Sequence, residues 1–178
     1  MTGDGPTPSR ELRGGAVLAD PLVRELLEAR LVAVLTTLEP DGTVHAIPVW
    51  YALAGDAILF ATGGRSRKVR NLRRDPRATV VLHDSRPGCE VCGASIRGVV
   101  EVVEADEALP LVAQVHSRYL APAVASLPAA AELFASDDVV LRLHPQAAVT
   151  WDERGSEAAE VVRARGWGLP LVSTEPRE

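Results

Sequence analysis

From residue 31 onward the chain reads as short runs in which apolar and polar positions alternate, separated by turn-forming residues. A period of two is what a strand with one buried face requires. The first run covers residues 31–37. Glu39-Pro40-Asp41-Gly42 follows, where Pro sets the second turn position and Gly supplies a positive φ, so residues 43–53 fold back as the other arm of a hairpin. Pro48 within that arm cannot donate to a ladder. It marks a sheet edge, a bulge, or a place where backbone turns toward a ligand. Residues 57–62 form the next strand, broken by Gly63-Gly64, and residues 77–83, 95–104, 138–143 and 147–151 complete the set, with Pro145 separating the last two.

Helical signals sit between these runs. Asp20 suits an N-cap and Pro21 a first turn, with Leu22, Leu26 and Leu27 on one face. Residues 66–74 predict a short helix with Ser66 as N-cap, ended by Asp75-Pro76 because the residue before proline avoids the helical region. Residues 106–134 read as helical with breaks near Pro122 and Pro128. Gly- and Pro-rich residues 1–18 read as a mobile tail, residues 19–152 as the folded domain, and residues 153–178 as a tail with a short helix near 157–165. About six mainly antiparallel strands with helices between them, and no parallel βαβ rhythm, predict a mainly β protein: a small barrel with appended helices.

At 178 residues, 47% hydrophobic and 24% charged, the chain is a globular protein of one domain. A net charge of −5 argues against a nucleic-acid or anionic-membrane partner. Two cysteines make no disulfide scaffold and point to a reducing compartment. Residues 1–15 carry no signal-peptide core, and no apolar run is long enough to span a bilayer, so the expectation is a cytoplasmic location.

Charge is not spread evenly. Seven of the thirteen residues from Arg65 to Arg77 are basic and one is acidic, and of the 19 basic residues in the chain only Lys68 is a lysine. A strand, a Gly-Gly break and a helix start bearing Arg67, Lys68 and Arg70 make a candidate phosphate site, since helix N-termini present free N–H groups. The same run also reads as a solvated basic helix. A nucleic-acid patch is a third reading, weakened by the acidic total and the lack of interleaved aromatics.

The run from Thr37 to Trp50, then Leu59-Phe-Ala-Thr62, Ser66-Arg-Lys68, Asn71-Leu-Arg-Arg-Asp-Pro-Arg77 and Ile96-Arg-Gly-Val-Val-Glu101 resemble the pyridoxamine 5′-phosphate oxidase-like flavin-binding split-barrel family, over residues 20–152. The resemblance implies a six-stranded antiparallel split barrel and a homodimer with cofactor at the interface. It implies an oxidoreductase that binds FMN or the deazaflavin coenzyme F-420 and passes a hydride to or from a small organic substrate. A non-catalytic flavin- or haem-binding protein is the alternative. By position, Arg67 and Lys68 match the residues that hold the cofactor phosphate, with Ser66 and Thr62 close by. Ala46, Ile47, Pro48, Val49 and Trp50 match the strand lining the ring, Ala61 and Thr62 the strand end beside the ribityl chain, and Trp151 an aromatic wall from the second subunit. The segment beginning Trp167-Gly-Leu-Pro-Leu-Val lacks the basic residue of true pyridoxamine phosphate oxidases, which argues against vitamin B6 oxidation.

No catalytic side chain stands out. His45, on the ring-lining arm, is a candidate proton donor and equally a surface histidine. His116 and Tyr119, three apart on a helix, face either a pocket or an ordinary packing partner. Cys89-Glu-Val-Cys92 reads as a non-catalytic loop pair, with a redox pair or half a zinc site alongside His83 as the rival; no metal is expected.

Overall fold

The computed structural model describes residues 7–84, 92–125 and 137–165. Its strands are β1 (Thr7–Arg13), β2 (Ala33–Leu38), β3 (Val44–Val49), β4 (Ala52–Ala54), β5 (Ala57–Gly63), β6 (Arg77–Asp84), β7 (Cys92–Val103) and β8 (Asp138–Asp152). Its helices are α1 (Ala16–Ala19), α2 (Pro21–Glu28), α3 (Arg67–Arg74), α4 (Ala105–Tyr119), α5 (Pro122–Ala125) and α6 (Glu157–Arg165). The sheet is antiparallel throughout, ordered β3-β2-β6-β7-β8-β5-β4, with β1 also paired to β8. The mainly β class with interposed helices is as the alternation predicts, but the described sheet has eight strands where six were expected.

Set against the seven separate runs of the sequence, three differences give the eight described strands: one run splits, two merge and one strand is added. The arm expected over 43–53 is two strands, because Trp50 and Tyr51 leave the ladder: Tyr51 N donates to Tyr119 Oη at 3.3 Å and not to a neighbouring strand. The two short strands expected around Pro145 are one, β8. Its register against β7 shifts between Arg97 and Gly98, so Gly98 pairs with Pro145 and Gln146 is left over as a bulge that absorbs the missing donor. Finally, residues 1–18 are not simply a tail. β5 covers the outer edge of β8 only from Asp138 to Leu143, and β1 takes the edge beyond it, Arg13 opposite Ala147 through Thr7 opposite Asp152. An uncovered edge of that length would expose a row of backbone donors and acceptors. The part of the expected helix over 126–134 lies outside the described residues.

The sheet curls around one core. Leu35, Ile58, Phe60, Val80, Leu82, Ile96, Leu141 and Leu143 point inward, and α2 closes it with Leu22, Val23, Leu26 and Leu27. On the other face of β5, Leu59 packs with Val103, Val140 and the α4 residues Ala108, Val112 and Val115, joined by Trp50 and Ala61. Period-two alternation along one strand thus builds two clusters, and α4 rides on the outer one.

Asp20 caps α2 as the sequence predicts. Its Oδ1 accepts from Leu22 N at 3.0 Å and Val23 N at 3.2 Å, and its Oδ2 accepts from Arg10 at 2.8 Å, tying β1 to the helix start. Asp20→Ala is expected to lower unfolding free energy by about 1–2 kcal/mol in urea titration, most of it from the lost cap. Arg10→Ala should matter less, because its side chain is half exposed.

Candidate functional site

α3 breaks a local rule. Arg67, Lys68 and Arg70 crowd its first turn, and no acidic residue stands there. Cations at a helix N-terminus oppose the macrodipole by a few tenths to about 1 kcal/mol each. Ser66 occupies the N-cap position, but its hydroxyl makes no capping bond, and its Oγ is buried without a hydrogen-bond partner. Free N–H groups, an unsatisfied buried hydroxyl and clustered cations at one point are what an anion would satisfy together. Just before them, a Cβ at Gly64 would lie 2.8 Å from Asp137 O, so only glycine lets β5 pass this close to the start of β8.

The two central cations diverge. Lys68 turns inward: its Nζ donates to Thr62 Oγ1 at 2.7 Å, and it is half-buried. Burial pulls its ammonium pKa down, and Asp138 pulls it partly back. Arg67 is largely exposed and points to the β2–β3 hairpin, its guanidinium 3.7 Å from Glu39 Oε1. Glu39 is the residue that sequence reasoning treated only as part of a turn. Its carboxylate also lies 3.9 Å from His45 Nδ1, so His45 faces Glu39 across the hairpin end. Arg67, Arg70, Asn71 and Arg74 form one wall of a cleft whose other wall is Glu39, Asp41 and Thr43. Buried Asn71 fixes that wall: its Nδ2 donates to Thr37 Oγ1 at 3.1 Å, pinning α3 to β2.

The ring-lining residues of the sequence reading fall on the sheet edge. β3 ends the sheet, with β2 its one described neighbour, so its far edge leaves backbone groups open. Pro48 sits there opposite Val34, as a residue without a donor should. Ala46 and Pro48 are exposed, while Ile47 packs toward the core and Val49 is buried. Trp50 leads from this strand to the outer cluster, against which Ala61 also packs, and Ala61 adjoins Thr62, the partner of Lys68. Trp151 stands apart from β3 within the chain: β2, β6 and β7 lie between them in the sheet, and its indole rests against Gly93.

A polar clamp positions Trp50. Its indole stacks on Tyr119 at 4.9 Å with 3° between planes, and meets His116 edge-on at 6.1 Å. Tyr119 Oη donates to Leu31 O at 2.6 Å. The neighbouring Tyr51 Oη lies 2.7 Å from both Leu26 O and Ala29 O, and the Arg118 guanidinium, which also donates to Ala29 O at 2.6 Å, covers the Tyr51 ring at 4.9 Å. Together they satisfy the carbonyls at the α2 C-terminus, and burial pushes the Tyr51 hydroxyl up to about 12. His116 and Tyr119 thus share the face of α4 that meets Trp50. Sequence spacing offered a pocket or an ordinary packing partner for this pair, and the contact described here is packing against Trp50.

Cys92 is buried in β7, paired with Asp84 and Asp152, and burial raises its thiol pKa. A raised pKa disfavours the reactive thiolate. Cys89 lies outside the described residues, as does the segment beginning at Trp167. Among the described residues no group of three or more His, Cys, Asp or Glu is placed to hold a metal. Likewise no described helix is long and apolar enough to cross a membrane.

Comparison with known proteins agrees with the fold. No curated relative matches the chain. Among solved structures, the conserved hypothetical protein Rv2991 of Mycobacterium tuberculosis is 30% identical with a TM-score of 0.64, covering 93% of this chain and 94% of that one. An F420 reductase is 26% identical with a TM-score of 0.55, over 70% of this chain and 94% of that one. A heme binding protein from Mycobacterium smegmatis is 25% identical with a TM-score of 0.52, over 83% of this chain and 62% of that one. The family model described as pyridoxamine 5′-phosphate oxidase matches residues 19–152, which span every strand after β1, the α3 turn and the Trp50 clamp. With three quarters of its length matched, the chain belongs to the pyridoxamine 5′-phosphate oxidase-like split-barrel family.

Proposed function

We propose that the protein is an oxidoreductase that binds FMN or the deazaflavin coenzyme F-420 and acts on a small organic substrate. The observation that carries this reading is the buried, unpartnered Ser66 Oγ beside Lys68 at the start of α3. Ser66, Lys68 and the first-turn N–H groups would hold the cofactor phosphate, with Thr62 orienting Lys68 and Arg67 adding charge from the outer side. The open edge of β3 from Ala46 to Val49, with Trp50 and Ala61, would line the ring. Such a ring accepts or donates a hydride, and the protein's share is to hold it, orient the substrate and exclude water. Resemblance to an F420 reductase supports the deazaflavin form. The reading places the protein in the cytoplasm.

The test is the absorbance spectrum of the purified protein, with mass spectrometry of the released cofactor and turnover with a reductant. A flavin or deazaflavin band with turnover is expected. A haem band, or a bound flavin without turnover, would instead favour a carrier or sensor, the reading that resemblance to a heme binding protein suggests.

The same reading requires a homodimer. In it Trp151 reaches the ring from a second copy, and Val32, Val34 and Val44 around the β2–β3 hairpin are 54%, 40% and 65% exposed. Apolar side chains on a sheet edge are stable in water when another chain covers them. Light scattering should give a dimer at micromolar concentration, and Val34→Glu should shift it toward monomer with loss of bound cofactor. A monomeric wild type that still holds cofactor would refute this arrangement.

A further inference from the structure

One row of residues crosses the whole sheet in register. Ala46 of β3 stands opposite Thr36, Thr36 opposite Thr79, Thr79 opposite Arg97, Arg97 opposite Ala147, and Ala147 opposite Arg13 of β1. Residues paired in this way share a face, and their chain neighbours Leu35, Val80, Ile96 and Ala148 are all in the core, so the row looks outward. From Thr36 to Arg13 it lines a cleft of about 550 Å³. Arg77 adds a third guanidinium there, the bulge residue Gln146 a carboxamide, and Leu38 and Val44 an apolar wall. None of the described lining residues is acidic, in a chain of net charge −5.

The three guanidinium groups differ. Arg77 is held by Asp75, with Nη2 donating to Oδ2 at 2.6 Å and Nε to Oδ1 at 2.9 Å. Arg13 lies 3.6 Å from the Glu11 carboxylate. Arg97 is exposed and, among the described residues, makes no ion pair or side-chain hydrogen bond. The cleft therefore offers one uncommitted cation between two whose charge is already matched, which suits a monoanion better than a phosphate dianion. A guanidinium fork takes a carboxylate through two parallel bonds, and Gln146, next to the Ala147 that faces Arg97, has a neutral donor at hand. The apolar wall suits a carbon skeleton.

We propose that this cleft binds the carboxylate of a small organic acid, with Arg97 as its principal contact. The inference rests on the proposed function only for the role of that acid. Arg97 is three strands from Ala46, about 14 Å of sheet at ~4.8 Å per strand. An acid held by the long Arg97 side chain and extended along the row directs its other end toward the proposed ring at β3. The small organic substrate of that reading is then a carboxylic acid.

Calorimetric titration of the purified protein with succinate, benzoate and cinnamate, each against its neutral amide, tests the site. At least one acid should bind about tenfold more tightly than its amide, and Arg97→Gln should remove that preference. Arg97→Lys should restore only part of it, because an ammonium lacks the fork. Arg97 is exposed, so neither variant should change the thermal melt. No preference for any of the acids in the wild type overturns the site. So does a preference that survives Arg97→Gln, which would put the carboxylate elsewhere. Affinity for FMN and for coenzyme F-420 should be the same in Arg97→Gln as in wild type; a matching loss there would give the cleft to the cofactor and overturn the proposal. A change from dimer to monomer in Arg97→Gln would likewise give Arg97 to assembly. The proposed function fails separately: a protein that holds no flavin or deazaflavin yet prefers the acids through Arg97 keeps the carboxylate site, and only the acid's role as a redox substrate falls.

Discussion

Lys68→Ala is expected to weaken binding of the phosphorylated cofactor by about 1.5–3 kcal/mol, roughly one to two orders of magnitude in affinity. The effect is large because Lys68 is half-buried and held in place by Thr62, so its contact with an anion is poorly screened and already oriented. Arg67→Ala alone should cost less, below about 1 kcal/mol: its side chain is 62% exposed and Glu39 already offsets part of its charge. The double variant should lie near the sum of the two. Fluorescence titration of the apo protein measures both. Thermal stability of Lys68→Ala should stay near wild type, since removing a partly desolvated ammonium offsets the lost bond to Thr62. Unchanged affinity in the double variant would remove the phosphate site from α3 altogether.

The largest stability effect is expected at Gly98. A Cβ there would meet His144 O at 2.2 Å and the Leu143 side chain at 3.1 Å. The near contact is backbone, in the middle of the long β7–β8 ladder, so no side chain can rotate away. The bulge that leaves Gln146 without a β7 partner lies at this point. Gly98→Ala must therefore push the two strands apart where they carry the core residues Ile96 and Leu143. A loss of about 3 kcal/mol or more is expected in reversible urea unfolding, at the top of the range for overpacking. Gly15→Ala is the control. Nothing lies within 4 Å of a Cβ there, and the change should fall within about 0.5 kcal/mol. A Gly98→Ala variant as stable as the control would mean that the bulge relaxes freely.

Much of this protein is written locally. The turn at Glu39–Gly42, with Gly42 at φ +84, needs only its own four residues. The Asp20 cap needs the next three, and the strand alternation of β2, β5, β6 and β7 needs only its own run. The basic turn of α3 was also legible, because a helix start crowded with cations is a local contradiction that calls for an anion. Sequence could not place β1. Its residues show no apolar alternation, and it is a strand because β8 outlasts β5 and leaves an edge to cover. Nor could it join β8 across Pro145, since the bulge that permits this depends on Gly98 in another strand.

The site divides in the same way. Residue types and spacing within Ser66-Arg-Lys68 pointed to the anion-binding group proposed here. The carboxylates around it, Asp138 on β8 whose charge acts on Lys68 and Glu39 on the hairpin beside Arg67, come from distant parts of the chain. Capping, turns and alternation act over a few residues and leave a mark in them. Ion pairs, edge coverage and close backbone approach act through space, and only the folded chain decides which residues they join.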